Sequence, residues 1–174
     1  MKFFKYIFVF TAISFMVSCG GGEEKKEEKK SVKIGITKTP KKESSNTINI
    51  GLTGNDLMQF DKKEIRVKVG QEVTLTLRHT GKMEILVMGH NFVLLKKGVE
   101  IPAFSIEAAA AGPTKDYIPN DGKDVIVHTK TIGGGQSTSI TFTAPPAGIY
   151  DFICSFPGHS ATMQGKFIVE ELTE

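Results

Sequence analysis

The chain has 174 residues, 22 lysines and arginines against 19 acidic residues, and a formal net charge of +3. Most of that surplus is N-terminal: from Ile48 onward 12 basic residues face 14 acidic ones, a net of about −2. A nearly neutral domain lacks the basic footprint that nucleic-acid binding requires.

Lys2 and Lys5 precede a mostly apolar run from Tyr6 to Val17, followed by Ser18 and Cys19. This is the layout of a secretory signal, and the run is too short to span a bilayer comfortably. Met16-Val17-Ser18-Cys19 fits a bacterial lipoprotein cleavage site, with residues 1–18 as the signal and Cys19 as the lipidated residue. The alternatives are an ordinary signal cut nearby or an uncleaved anchor. Residues 19–47 hold the run Gly20-Gly21-Gly22, alternating Glu and Lys pairs, and a Lys/Ser/Thr/Pro stretch. With so little apolar surface to bury, this segment reads as a disordered, charged tether.

From 48 to 174 the pattern is that of one β domain. Thr47–Leu52, Glu64–Val69 and Val73–Arg78 alternate polar and apolar residues, as half-buried strands do. Asn91–Leu95, Val125–Thr129, Thr138–Phe142, Ile149–Cys154 and Lys166–Glu170 follow, bounded by turn residues. Eight short strands predict an all-β sandwich. Residues 102–111 break the pattern: they are alanine-rich and end at Gly112-Pro113, which predicts a short helix.

The chemistry concentrates in Cys154-Ser155-Phe156-Pro157-Gly158-His159-Ser160-Ala161-Thr162-Met163, spaced C-x4-H-x3-M. A thiolate, an imidazole and a thioether on one loop suit copper, and a second imidazole would complete a type 1 site. His90, in Val87-Met88-Gly89-His90-Asn91, is the candidate, with the Gly89 carbonyl on the opposite face. Zinc competes for such donors, but its structural sites favour several cysteines. There are two cysteines in all. With Cys19 at the signal boundary and Cys154 in the ligand pattern, neither is left for a disulfide.

The ordered blocks Gly54–Phe60, Val87–Asn91, Lys115–Tyr117, Val125–Lys130 and Cys154–Met163 resemble the azurins, bacterial blue-copper proteins of the cupredoxin family. The resemblance implies an eight-stranded Greek-key sandwich with a helical flap. It implies one copper ion held by Gly89, His90, Cys154, His159 and Met163, and no catalytic residues. Asn91 would tie the ligand loops together, and the amides of Asn91 and Phe156 would donate to the Cys154 sulfur. Met58, Met83, Val87, Met88, Phe156, Pro157 and Ala161 would form an apolar docking patch around a histidine edge. The chain departs from the family in placing Ile48 and Gly70 where a disulfide is usual, and Phe92 where a tryptophan is common. His79 and His128 match family histidines outside the metal shell.

The implied function is a one-electron carrier in the bacterial cell envelope, lipid-anchored and facing the periplasm or the cell surface. Its partners would be redox proteins such as c-type cytochromes or a copper/haem reductase, met in weak transient complexes by a monomer. The rival reading is an envelope copper chaperone or store. A copper enzyme would need a further metal site, and two of the four histidines are already used.

Overall fold

The computed structural model describes residues 46–172. The expected signal peptide, Cys19 and nearly all of the expected tether lie outside the described residues. Two sheets face each other. One has β1 (Thr47–Asn55), β2 (Gln59–Phe60), β4 (Glu72–His79) and β7 (Ser137–Thr143), in the order β2-β1-β4-β7. The other has β3 (Glu64–Lys68), β5 (Val93–Leu95), β6 (Val125–His128), β8 (Gly148–Ile153) and β9 (Gln164–Glu170), in the order β3-β9-β8-β5-β6. β1 runs parallel to β4 and β3 parallel to β9, because the chain crosses between sheets instead of turning back on itself.

All eight expected strands are present. The ninth, β2, is two residues long and pairs Gln59 and Phe60 with Asn55 and Gly54. Two residues carry no readable alternation, so it escapes a periodicity test. The alanine-rich segment forms α2 (Ile101–Ala111), stopped by Gly112 at φ 75°. A second helix, α1 (Ile85–Met88), was not expected; it is a single turn with no buried residue.

The alternation seen in the sequence is the core. In β4, Val73, Leu75 and Leu77 are fully buried between exposed or half-buried neighbours. Phe92, Phe152 and Phe167 meet them from the other sheet. Phe92 fills the position of the missing tryptophan with nothing of its ring exposed. Gly70 adopts φ 70°, where glycine costs least. Its carbonyl accepts from Asn46 Nδ2 at 3.0 Å, a link between segments that a disulfide joins in the family. Cys154 is the free, buried cysteine of the described residues.

Candidate metal centre

The ligand loop leaves the end of β8 and folds on its own backbone. His159 N donates to Phe156 O at 3.0 Å and Met163 N to His159 O at 2.8 Å. Cys154 N then donates to Met163 O at 2.8 Å, closing the loop. Gly158, at φ 83°, makes the turn after Pro157. These bonds aim Cys154, His159 and Met163 inward, and none is more than 3% exposed.

His90 is positioned by distant parts of the chain. Its backbone exchanges both hydrogen bonds with Ile132, at 2.9 and 2.8 Å. Its ring stacks on His79, with centroids 4.1 Å apart and planes 16° from parallel. His79 is itself fixed: Gly81 N donates to its Nδ1 at 3.0 Å, so Nε2 carries the proton and donates to Met88 O at 2.8 Å. Asn91, fully buried, joins the two ligand segments. Ser155 N donates to its Oδ1 and its Nδ2 donates to Ser155 Oγ, both at 2.8 Å, while Nδ2 also reaches Asp116 O. His128 stays outside this centre, its Nδ1 3.0 Å from Thr129 O.

The donor atoms of His90, Cys154 and His159 all lie within 4.8 Å of one another. Cys154 Sγ is 4.0 Å from His90 Nδ1, 3.6 Å from His159 Nδ1 and 3.8 Å from Gly89 O. An imidazole nitrogen about 2.0 Å and a thiolate about 2.3 Å from one first-row ion, at corners of a trigonal plane, stand about 3.8 Å apart. The two observed sulfur–nitrogen distances bracket that value.

His90 supplies a second test. Nε2 lies 2.9 Å from Asn55 O and Nδ1 2.9 Å from Gly89 O. Burial, and next the charge of His79, hold its pKa down against the pull of those carbonyls, so the ring is neutral near pH 7. A neutral imidazole carries one N–H. Once that proton serves one carbonyl, the other nitrogen faces an oxygen lone pair with no proton between them. If Nε2–H serves Asn55, the unmatched pair is Nδ1 and Gly89 O, on the side of the Cys154 sulfur. A cation bound there satisfies both.

The other donors are set for the same purpose. Burial first, then the charges of His90 and His79, push His159 down to about 4, leaving its lone pair available near neutral pH. Burial pushes the Cys154 thiol up to about 12, and hydrogen bonds from the Asn91 and Phe156 amides pull in the other direction. The thiol therefore keeps its proton until a cation displaces it. One thiolate with two neutral imidazoles and a nearby methionine is the donor set of a copper site.

Gly54 and Asn55 are functional residues that ligand spacing does not reveal. The Asn55 carbonyl orients His90. At Gly54 a Cβ would sit 2.7 Å from His90 Cδ2 and 3.2 Å from Met163 Cε, so only glycine lets β1 pass this close. A glycine at the end of an alternating strand was the available signal. Gly89 is as constrained, with a Cβ there falling 2.6 Å from Ile85 O and 2.8 Å from Phe156.

Of the expected patch residues, Met58, Met83, Val87, Pro157 and Ala161 are exposed and Met88 is half-buried. Phe156 lies beneath the surface, its ring 4.6 Å from that of His159 and 5.1 Å from that of Tyr117. Leu57 and Leu86, 72% and 71% exposed, and Ile85 are exposed apolar residues of the same segments. Thr162 Oγ1 donates to Met58 O at 2.9 Å and Lys82 N to Asp56 Oδ2 at 2.8 Å, which draws these loops together.

The model of copper-binding proteins of the plastocyanin/azurin family matches residues 46–170. Azurin-1 of Alcaligenes xylosoxydans xylosoxydans is 44% identical over 121 residues, covering 67% of this chain and 93% of that protein. The structure of auracyanin A, a "blue" copper protein of Chloroflexus aurantiacus, superposes with a TM-score of 0.66 at 33% identity, covering 71% of this chain and 99% of that one. An azurin of Methylomonas sp. strain J gives 0.64 at 33% identity, covering 71% and 98%. With a cupredoxin sandwich around this donor set, the chain belongs to the plastocyanin/azurin family of copper-binding proteins.

Proposed function

We propose that this protein is a blue-copper electron carrier tethered to a membrane of the bacterial envelope, passing single electrons between redox proteins. The observation that carries it is the buried cluster of His90, Cys154 and His159, whose donor atoms all lie within 4.8 Å of one another. Copper, when bound, supplies the one-electron Cu(I)/Cu(II) couple. The chain's residues do the rest. His90, His159 and the Cys154 thiolate would be the metal's strong donors, with Met163 and the Gly89 carbonyl as weaker ones. The Asn91 clamp and the His79 stack hold the donor side chains in place, so little rearrangement would accompany a change of charge. The Asn91 and Phe156 amides stabilise negative charge on the sulfur.

His159 is buried just after the exposed Pro157-Gly158 turn, and the exposed apolar residues Leu57, Met58, Met83, Val87 and Ala161 would form the docking face around it. A face of this kind suits brief docking of a c-type cytochrome or a copper/haem reductase. Burial of every donor favours a carrier over the rival chaperone or store, which must release its metal readily. The signal layout and Cys19 support the lipid anchor, and the charged segment after it supports a tether. Stopped-flow mixing of the copper-loaded protein with a reduced c-type cytochrome tests the reading. Rapid bleaching of the thiolate-to-copper absorption is expected. Copper transfer to an apo partner without electron exchange would instead make the protein a store.

A further inference from the structure

We infer that β7 is a self-association edge, through which two copies join their four-stranded sheets into one of eight strands. β7 ends the order β2-β1-β4-β7, so among the described residues one side of its backbone has no strand beside it. Natural proteins guard such edges with charges, prolines, bulges or short length. The other sheet follows that rule: its edge strand β3 carries Glu64, Arg66 and Lys68, all exposed, and β6 is four residues long. β2 is two residues long. β7 is seven residues, Ser-Thr-Ser-Ile-Thr-Phe-Thr, with no charge and no proline inside it. Its register with β4 runs without a shift from Ser137 to Thr143.

The pairing with β4 fixes which backbone groups are free. Gln136 O accepts from His79 N and Ala144 N donates to Gln71 O. In an antiparallel ladder, bonded pairs alternate. Residues 136, 138, 140, 142 and 144 therefore turn their N–H and C=O toward β4, and Ser137, Ser139, Thr141 and Thr143 turn theirs outward. A two-fold axis at Ile140 brings Ser139 opposite Thr141, and Ser137 opposite Thr143, of a second copy. Every outward group then meets another outward group. Registers centred one residue away place fewer of these groups opposite each other.

The strand's chemistry reads the same in both directions, as an isologous interface requires. Hydroxyls face hydroxyls on the outer surface, extending a ladder that already exists: Thr74 with Thr141 at 3.0 Å and Thr76 with Ser139 at 2.8 Å. On the inner surface Ile140 meets its own copy and Phe142 meets Thr138. Ile140 and Phe142 are only half-buried in one copy, and the pairing covers them. Pro145 and Pro146 follow the strand and limit the pairing to this length. The copper centre lies at the His79 end of β4, beside the start of β7. Antiparallel pairing therefore sends the two copper ends in opposite directions, and both docking faces stay open.

Sedimentation velocity of the copper-loaded full chain in mild detergent, up to about 1 mM, tests this together with amide exchange at Ser139 and Thr141. The expected result is a monomer–dimer equilibrium in which those two amides become protected as concentration rises. Ser139→Lys places a charge on the outward face without touching a β4 backbone bond. It should weaken association at least tenfold while the thiolate-to-copper absorption is unchanged. Leu86→Ser, on the docking end, should leave association as it is. A monomer throughout the range overturns the inference, as does a dimer indifferent to Ser139→Lys.

Discussion

Two segments deliver the copper donors, and they are built on opposite plans. The loop from Cys154 to Met163 brings three donors within ten residues and is closed by its own backbone bonds. The Gly89-His90-Asn91 segment has no turn of its own; Ile132, Asn55, His79 and Ser155 hold it from four other places. A local loop stores its geometry in sequence spacing. A scaffolded residue stores it in the whole sandwich. The loop should therefore be sensitive to its donors, and the His90 side to residues that bind no metal.

The largest effect belongs to the loop. Cys154→Ser removes the thiolate of the cluster and should abolish the intense absorption of the copper form, together with the metal's contribution to thermal stability. Retained blue colour would put the site elsewhere. Next comes Gly54→Ala, on the scaffolded side. The added Cβ, 2.7 Å from His90 Cδ2, meets a ring pinned between His79 and the Asn55 carbonyl. Overpacking of this kind costs about 1–3 kcal/mol. Copper affinity should fall by tenfold or more with the three loop donors untouched, as competition with a chelator would show. Asn91→Ala strikes the link between the two plans. It strands the buried Ser155 amide, at about 1–3 kcal/mol for the unsatisfied donor. Urea unfolding of the metal-free protein should move by that amount, which separates the clamp's structural role from any effect on the metal.

The same contrast explains what could be read in the chain beforehand. The strands were legible because period-2 alternation is the core itself, with Val73, Leu75 and Leu77 one buried row. The copper loop was legible because its donors are close in sequence and chemically unusual together. β2, α1 and the work of Gly54 and Asn55 were not. Two paired residues or one helical turn show no period, and a carbonyl that orients a ring leaves no mark in side-chain type. The need for a second imidazole pointed to His90, the resemblance supplied the role of Asn91, and the structure supplied the reason both are held still. The uncharged edge at β7 is visible in Ser137–Thr143 but has no meaning until the strand order places it last.

The smallest effect concerns Asp56, which steadies the scaffolded side from outside. Its carboxylate accepts from Lys82 N at 2.8 Å and Met83 N at 3.4 Å, fixing the turn that leads into α1 and Gly89. The Lys82 amide, more than any other group, holds its pKa below the ordinary carboxylate value, against the opposing effect of desolvation. Folding therefore favours the ionised form. The stabilisation is fully present above the unfolded pKa of about 4 and disappears as pH falls through the lower folded value. Wild type should resist urea slightly better than Asp56→Ala at pH 7, and the gap should close toward pH 3. A gap that persisted at pH 3 would mean that the Lys82–Met83 turn is held by packing and does not depend on the charge of Asp56.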